Sequence, residues 1–280
     1  MFIVQKHRRL SNSARRLLDY IERHPNAVLV SSALDLAARI DSSDATVIRA
    51  IQSLGFDGLP HLKAVIAKKL DEGVRTPVEK VGVTVSELTQ EGSRTPFQLV
   101  IEAYAEMLDM LARSPLSEQL EAAVRLLNDA ERIGLYGGGP PNRLAQQTAT
   151  HLARIGRSSF VLEDSGHAFA DEILRLRPGD AVILIAYGRA LRESMLVKAE
   201  LRRIGGRLVV ITDNPGGRLA EGAEAVLEVP RTEVGNMTLY GTILLTLETI
   251  VLALTKESPV LAMETARRLR DLRAGLERSE

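Results

Sequence analysis

The amino-acid sequence predicts two domains, an α-helical domain followed by an α/β domain with a parallel sheet. The chain has 280 residues, which is enough for about two domains. The first 70 residues contain no alternating apolar segment of the kind that forms a half-buried strand. From about residue 130 onward, apolar β-branched segments alternate with helical patterns, which is typical of a parallel sheet covered by helices.

The composition argues against disulfide bonds, metal sites and membrane segments. The chain has no cysteine, which excludes disulfide bonds and thiolate metal sites within it and fits a reducing cytoplasm. Its five histidines are scattered, and we expect neither a metal site nor a cofactor. The most apolar segment, residues 242–255, is too short to span a bilayer and contains Glu248. We therefore expect a buried helix there and no membrane association.

The two parts of the chain differ in charge. The formal net charge is zero, but residues 1–80 hold 13 Lys and Arg against 9 Asp and Glu, whereas the remaining residues hold 23 against 27. A basic N-terminal part on a more acidic remainder favours an anionic partner for the N-terminal part alone. The excess is modest and does not by itself identify nucleic acid.

Residues 1–75 are predicted to form a domain of short helices. Apolar residues lie at helical spacing in three successive segments, at Leu17, Leu18 and Ile21, at Leu34, Leu36 and Ala37, and at Val47, Ile51 and Leu54. Residues 76–96 lose this periodicity and are rich in Gly, Ser and Thr, so we predict a linker there with at most one short helix.

The segment over residues 33–55 has the pattern of a helix-turn-helix. A helix over residues 33–39 is followed by a polar turn, in which Ser43 is placed to cap the next helix through the N–H of Thr46. Gly55 ends that second helix. If the second helix enters a major groove, the residues on its outer face lie against the DNA. These residues are Asp44, Ala45, Ile48, Arg49 and Gln52. A helical bundle with no role in DNA binding fits the same spacing.

This segment resembles the N-terminal domain of the RpiR-type transcriptional regulators. Their pattern has Leu-Ala, then Ser-x-Ala-Thr-Val-x-Arg, then Leu-Gly-Phe-x-Gly, then Leu-Lys, and the matching residues are Leu36, Ala37, Ser43, Ala45, Thr46, Val47, Arg49, Leu54, Gly55, Phe56, Gly58, Leu62 and Lys63. Ser42 and Ala50 depart from the pattern, which we expect to loosen packing without removing DNA binding. The resemblance implies that double-stranded operator DNA is contacted by Ser43, Asp44, Ala45, Thr46, Ile48, Arg49, Gln52 and Lys63.

The α/β domain is predicted over residues 97–280. Two helices, residues 97–112 and 117–130, precede five apolar segments that we predict to be strands, RIGLY, SSFVL, AVILIAY, RLVVIT and AVLEV. Continuous rather than alternating apolar residues are typical of buried parallel strands. Helices at about residues 236–255 and 259–276 close the chain.

The order of these elements is similar to that of the SIS domain, the parallel α/β domain that binds phosphosugars and forms the C-terminal part of RpiR-type regulators. The strings HLARIG, LRPGDAVILIA and AELRRIGGRLVVIT stand where the family has comparable ones. The resemblance implies a five-stranded parallel sheet flanked by helices, a carbohydrate-derived effector, and self-association into a homodimer or tetramer.

The three loops that bind the ligand in this family have lost their hydroxyls here. Pro141 stands at the serine of the first loop, Gly-x-Gly-x-Ser; AYGRALRE replaces Ser-x-Ser-Gly-x-Thr-x-Glu in the second; Gly217 and Arg218 replace Ser-Pro in the third. Arginines in or after each loop could bind an acidic ligand through their guanidinium groups. We expect an altered pocket at the carboxyl ends of the strands, with the ligand-binding residues Gly137, Gly138, Gly139, Asn142, Arg143, His167, Tyr187, Gly188, Arg189 and Glu193, and with Tyr136 as a further polar group.

The sequence thus predicts a cytoplasmic DNA-binding regulator whose C-terminal domain senses a small metabolite, sugar-derived or acidic, through an altered pocket. Two alternatives stay open, a retained phosphosugar site and a ligandless domain that serves only to dimerise. Isomerisation of a sugar phosphate needs a general base at the substrate carbon. The available acid–base groups form no recognisable constellation, so we predict no enzyme activity; they are His151, Glu163, Asp164, His167 and Glu193.

Overall fold

The computed structural model describes residues 11–74, 77–89, 94–187 and 191–277, and the chain divides into two compact units after residue 89. The first unit is helical. Its helices are α1 (Asn12–Arg23), α2 (Pro25–Val30), α3 (Ala33–Arg39), α4 (Asp44–Ser53), α5 (Leu59–Val74) and α6 (Pro77–Thr89).

Helices α1 to α5 enclose the apolar core of the first unit. Ile21, Leu36, Ile51 and Leu62, one from each of four helices, are fully buried in it. The inner face predicted for α4 is therefore confirmed. Ala50, one of the two departures from the family pattern, is buried in the same core.

The predicted linker contains helix α6, which has 13 residues and is longer than the short helix expected there. Val78, Val81 and Val85 recur at intervals of three or four residues, a helical period that the surrounding Gly, Ser and Thr concealed. All three valines are exposed.

The second unit contains seven helices and seven strands among its described residues. The helices are α7 (Pro96–Ala112), α8 (Leu116–Asn128), α9 (Asn142–Arg154), α10 (Gly166–Ile173), α11 (Arg192–Ile204), α12 (Gly241–Glu257) and α13 (Pro259–Glu277). The strands are β1 (Arg132–Gly137), β2 (Ser159–Val161), β3 (Asp180–Ala186), β4 (Arg207–Thr212), β5 (Ala225–Glu228), β6 (Thr232–Val234) and β7 (Met237–Leu239).

The first five strands form the predicted parallel sheet, in the order β2-β1-β3-β4-β5. Leu135 of β1 lies opposite Ile183 of β3, which lies opposite Val209 of β4. The strands run in one direction, so their carboxyl ends and the following loops share one edge of the sheet. The strand order reverses at β1, and a crevice at such a point is where open parallel sheets bind ligands.

Side chains of the strands alternate between two apolar cores, one on each face of the sheet. Leu135 and Ile183 pack in the core that includes α8, α9 and α12. Tyr136 and Leu184, the next residue in each strand, pack in the core that includes α10 and α11. The alternation follows from the pleat of a strand.

The prediction of a helix from residue 236 is wrong, because α12 begins at Gly241 and is preceded by the antiparallel hairpin of β6 and β7. Gly235, with φ +59°, forms part of the turn between these strands, and each strand is too short to show a sequence period. Helix α12, predicted to be buried, is buried along one side only, and Leu252 on its other side is exposed. Among the described residues no helix is both long and apolar enough to cross a membrane.

A buried ion pair joins the amino ends of β1 and β3. Asp180 is 1% exposed and accepts hydrogen bonds from Nε and Nη2 of Arg132, at 2.8 and 2.6 Å, and from the N–H of Arg177, at 2.8 Å. The Asp180 carboxylate raises the pKa of Arg132. The guanidinium also lies 4.9 Å from the centre of the Phe160 ring, so this one side chain contacts β2 and β3.

We expect Asp180→Ala to lower the free energy of unfolding by about 3–5 kcal/mol, because it leaves the Arg132 charge without its partner. Denaturant unfolding of the purified protein measures the loss. Asp109→Ala is the matched control, since Asp109 pairs with Arg113 on α7, both side chains are exposed, and such pairs contribute little. Equal losses in the two variants would contradict a special role for the buried pair.

Candidate functional site

Local hydrogen bonds shape the helix-turn-helix, and one of them, the Ser43 cap, is predicted by the sequence. Ser43 Oγ accepts the N–H of Thr46 at 3.3 Å and caps α4. The turn before it is closed by the N–H of Ser42, which donates to the carbonyl of Ala37 at 2.9 Å, and by Asp41, whose φ is +50°. Helix α4 packs against α1 and α3. Its direction is therefore fixed by the core of the unit.

The outer stripe of α4 consists of Asp44, Ala45, Arg49 and Gln52, which are exposed. Arg49 lies along its own helix, with Nε 3.3 Å from the carbonyl oxygen of Ala45. Ile48 is half-buried and packs against the core, so it presents less surface than the sequence analysis assumes.

The remaining DNA-contact candidates differ in their surroundings. The hydroxyls of Ser43 and Thr46 lie 2.8 Å apart and belong to the cap of α4. Lys63 lies on α5, half-buried. Its charge contributes to the lowered pKa of Asp35, although hydrogen bonds from Ser32 are the main cause. Lys63 is thus close to α3 rather than part of the α4 stripe.

The loop after β1 turns tightly into α9. A side chain at Gly137 would place its Cβ 2.8 Å from the backbone of Pro141, and Gly139 has φ +73°, so glycine is required at both positions. The N–H groups of Asn142, Arg143 and Leu144 donate to the carbonyls of Gly139, Pro140 and Pro141, at 3.0 to 3.1 Å. The first three N–H groups of α9 are therefore already hydrogen-bonded within the turn.

Asn142 holds this loop to the neighbouring strand. Its Oδ1 accepts the N–H of Gly137 at 3.1 Å, and its Nδ2 donates to the carbonyl of Leu162 at 3.2 Å. We call these two bonds the Asn142 bridge. It joins the end of β1, the start of α9 and the segment after β2. The predicted ligand-binding residue thus has a structural role in this structure.

A cavity of about 400 Å³ opens beside the bridge. It lies between the loop after β1, the first turns of α9 and the segment after β2, and its lining residues are Tyr136, Gly137, Gly139, Asn142, Arg143, Gln146, Glu163, Asp164 and Ser165. Nη1 of Arg143 donates to the side chain of Gln146 at 2.9 Å, and Gln146 donates to Glu163 at 3.1 Å. This chain of bonds ties one wall of the cavity to the other.

Tyr136 is one of the lining residues; it is 5% exposed, and its ring packs 5.0 Å from the Phe169 ring. Its hydroxyl has no hydrogen-bond partner among the described residues. Burial raises the pKa of Tyr136 to about 12, and the carboxylates of Glu193 and Glu172 add to the shift. The neutral hydroxyl therefore lies among negative charges.

Glu172 orders the acidic wall of the cavity. Its carboxylate accepts the N–H groups of Glu163 and Asp164, at 2.7 and 3.0 Å. The segment after β2 thereby presents the side chains of Glu163 and Asp164, which are exposed. Within the described lining, two carboxylates face a single guanidinium, that of Arg143.

Tyr187, predicted to bind ligand, turns away from the cavity. It belongs to the core on the α8, α9 and α12 face, and its hydroxyl donates to the carbonyl of Val229 at 2.9 Å. Burial raises its pKa well above the ordinary value. The Tyr187 side chain points to this face because side chains alternate along a strand, and Ile183 and Ile185 pack in the same core.

The second loop contributes an apolar group at the predicted pocket. Gly188 and Arg189 lie outside the described residues. Leu191 precedes α11 and packs so closely on Gly138 that a Cβ there would lie 2.2 Å from Leu191 Cδ1. Glu193 follows in the first turn of α11, half-buried.

The structure brings together only part of the predicted pocket. Gly137, Gly139, Asn142 and Arg143 line the cavity, whereas His167 is exposed on α10 outside it. Gln146 and Ser165 line the cavity but are not among the predicted ligand-binding residues, and Glu163 and Asp164 are predicted only as acid–base groups. Their positions just after β2, and one turn into α9, are the signals that could have identified them.

Comparisons with known proteins confirm the two resemblances. A family model described as a helix-turn-helix domain of the rpiR family matches residues 2–73, and a model of the SIS domain matches residues 126–256. The chain is 26% identical over 210 residues to the Escherichia coli (strain K12) protein named uncharacterized HTH-type transcriptional regulator YfhH. That match covers 75% of this chain and 73% of the relative. Several further curated relatives are longer, and their matches cover about 34% of their length.

Two solved structures share the fold. One is the sugar isomerase domain of an RpiR transcription factor from Sphaerobacter thermophilus, with a TM-score of 0.57 and 22% identity over 63% of this chain and 98% of that one. The other is the NanR protein of Vibrio vulnificus complexed with ManNAc-6P, with a TM-score of 0.54 and 20% identity over 96% of this chain and 95% of that one. At these identities the likeness shows the fold alone.

We expect Asn142→Ala to lower the free energy of unfolding by about 1–3 kcal/mol, because it leaves the N–H of Gly137 and the carbonyl of Leu162 without their partner. Gln147→Ala, an exposed position one turn further along α9, is the matched control and should change little. Thermal or denaturant unfolding measures both. A loss no larger than that of the control would mean that the bridge does not hold the loop.

We expect Tyr136 to ionise near pH 12, because burial and nearby carboxylates raise its pKa. Since an unfolded tyrosine ionises near pH 10, the unfolded chain loses this proton first. The contribution of this hydroxyl to stability is thus complete below about pH 10 and is lost as the pH rises towards 12. The tyrosinate absorbance of the protein minus that of Tyr136→Phe measures the midpoint. A midpoint near pH 10 would contradict the burial of the hydroxyl.

Proposed function

The chain belongs to the RpiR-type transcriptional regulators, and on that premise we propose that it binds operator DNA through α4 and responds to a small effector in its SIS domain. The observation that supports this most directly is the exposed stripe of Asp44, Arg49 and Gln52 on a helix that is capped and packed. A stripe of this kind on the second helix of a helix-turn-helix fits the major groove.

Each residue of the stripe has a chemical role in this proposal. Arg49 hydrogen-bonds guanine, Gln52 adenine and Asp44 cytosine, while the part of Ile48 that remains exposed contacts a thymine methyl. Lys63 neutralises phosphate, which adds affinity without reading sequence. The hydroxyls of Ser43 and Thr46, and the backbone at Ala45, approach the DNA at the start of α4.

Self-association supplies the second half-site. Exposed apolar side chains on α7 and α13 of the SIS domain, including Phe97, Ile101, Leu272 and Leu276, suit a homodimer or tetramer. Paired helix-turn-helix domains bind half-sites spaced by one helical turn of DNA or a multiple of it. In this proposal the protein binds its operator in the cytoplasm of a bacterium.

The cavity at the carboxyl ends of β1 and β2 is the effector site in this proposal. Its polar lining and its position at the edge of a parallel sheet fit a small carbohydrate-derived ligand. Coupling between effector and operator of about 1–3 kcal/mol is typical of such regulators. The alternative is a SIS domain that only dimerises, and the packing of Leu191 on Gly138 favours that alternative.

We propose no catalytic activity. A base for isomerisation must stand within hydrogen-bond reach of the substrate carbon's proton. The carboxylates of Glu163 and Glu172 already accept hydrogen bonds from protein groups, and Asp164 is exposed at the rim. Turnover of a sugar phosphate by the purified protein would overturn this part of the proposal.

We expect Arg49→Ala and Gln52→Ala each to weaken binding to a selected operator by about 1–3 kcal/mol and to relax specificity at one base pair. Lys63→Ala should weaken binding uniformly and reduce the salt slope by about one. The operator is selected from a random duplex library with the full-length protein, and affinities are measured by fluorescence anisotropy. Arg125→Ala, an exposed arginine of the SIS domain, is the control. Undiminished binding of both α4 variants would overturn the assignment.

A further inference from the structure

Helix α6 carries apolar side chains that the core of the first unit does not cover. Among the described residues, the side chains that form this core or pack on it come from α1 to α5 and the turns between them. Val78, Val81 and Val85 of α6 are 80%, 62% and 51% exposed. A single copy of the chain thus leaves three valines of one helix uncovered.

These valines are spaced as in the seam of a coiled coil. The steps from Val78 to Val81, Val85 and Leu88 are three, four and three residues, which are the a and d positions of a heptad. A stripe of a and d positions alone is narrower than the apolar face of a helix that covers a core. β-branched residues at a and leucine at d favour two parallel strands. Here Val78 and Val85 are at a, and Leu88 is at d.

The positions beside the seam allow two identical helices to meet. Positions e and g flank the seam of a two-stranded coiled coil, and like charges there would oppose self-pairing. In α6 these positions are Gly82, Thr84 and Thr89, none of which is charged. A Cβ at Gly82 would have no atom within 4 Å, so this side of the helix is open to close approach.

The composition of α6 also indicates that the helix is held by packing. Its 13 residues include four valines, two threonines and one glycine. β-branched residues and glycine lower helix propensity, and isolated helices of this length are marginal in water. Packing of an apolar face supplies most of the stability of such helices in proteins. The uncovered face of α6 is its valine stripe.

The size of the stripe restricts what can cover it. Specific, stable interfaces bury about 1,200–2,000 Å² of total surface, and three valines on each of two helices supply well under this area. A freely diffusing partner protein would therefore bind the stripe too weakly. A second copy that is already held by its SIS domain arrives at a high effective concentration, and a small contact is then sufficient.

We infer that α6 pairs in parallel with α6 of a second copy, with Val78, Val81 and Val85 in the seam. The inference rests on the self-association proposed above, which holds the two copies together. Helix α6 follows the helix-turn-helix in the chain, so this pairing joins the DNA-binding units of the two copies directly. Joined units bind two half-sites at a fixed spacing.

Cysteine crosslinking tests the pairing on the full-length protein, which has no cysteine of its own. Paired seam positions bring two Cα atoms within about 7 Å, the reach of a disulfide. With copper phenanthroline as oxidant, we expect Val81→Cys and Val85→Cys each to give a covalent dimer on a denaturing, non-reducing gel. Lys80→Cys is the matched control, because position c lies outside the seam, and it should give the monomer band.

A charge in the seam tests the consequence for DNA binding. Val85→Asp places two like charges against each other in the pair, whereas in a single copy this position is exposed. We expect it to bind the selected operator, with two half-sites, about tenfold more weakly and a duplex with one half-site unchanged. Ser86→Asp adds the same charge at position b and is the control. Melting temperatures of both variants show whether the fold is kept.

The outcomes separate this inference from the proposed function. The absence of a disulfide in both seam variants, or equal crosslinking of Lys80→Cys, overturns the inference, and so does an equal loss for one and two half-sites in Val85→Asp. If operator binding then still depends on Arg49 and Gln52, the regulator proposal stands without it. Crosslinking at Val81 together with operator binding that ignores Arg49 and Gln52 supports the pairing and overturns the proposed DNA contacts.

Discussion

The Asn142 bridge is the interaction on which the geometry of the cavity in the SIS domain depends. One amide side chain joins the end of β1, the start of α9 and the segment after β2. It thereby occupies the N–H of Gly137 and fixes the distance between the two walls of the cavity. The same residue that resembles a ligand contact in sequence is a support for the loop in the folded chain.

The prolines of the first loop and the tight turn into α9 together reduce the number of free N–H groups in this loop. Proline is tolerated in the first turn of a helix because its missing N–H has no partner there. The following N–H groups then close a turn on the preceding carbonyls. The result is a tight loop after β1 with few free donors. A SIS fold can thus keep its sheet and helices while the chemistry at its ligand edge changes.

In the helix-turn-helix, one face of α4 packs in the core and the other is exposed. Val47 and Ile51 fix α4 in the core, and Arg49 and Gln52 stay free of it. The caps at Ser32 and Ser43 set where α3 and α4 begin, so the position of the exposed stripe follows from short-range bonds. Ile48 lies at the border of the two faces and packs partly in the core.

The sequence by itself determined the two domains, the five parallel strands, the Ser43 cap and the helix-turn-helix, because each depends on periodicity or on hydrogen bonds between residues a few positions apart. It predicted only a short helix where α6 lies, and it missed the β6–β7 hairpin, because these short or mixed segments show no clear period. Only the tertiary structure decided that Tyr187 packs in a core, that Asn142 is bonded internally, and that Glu163 and Asp164 face Arg143. These arrangements join segments about 20 residues or more apart in the chain, and the folding of the sheet, rather than any local pattern, brings them together.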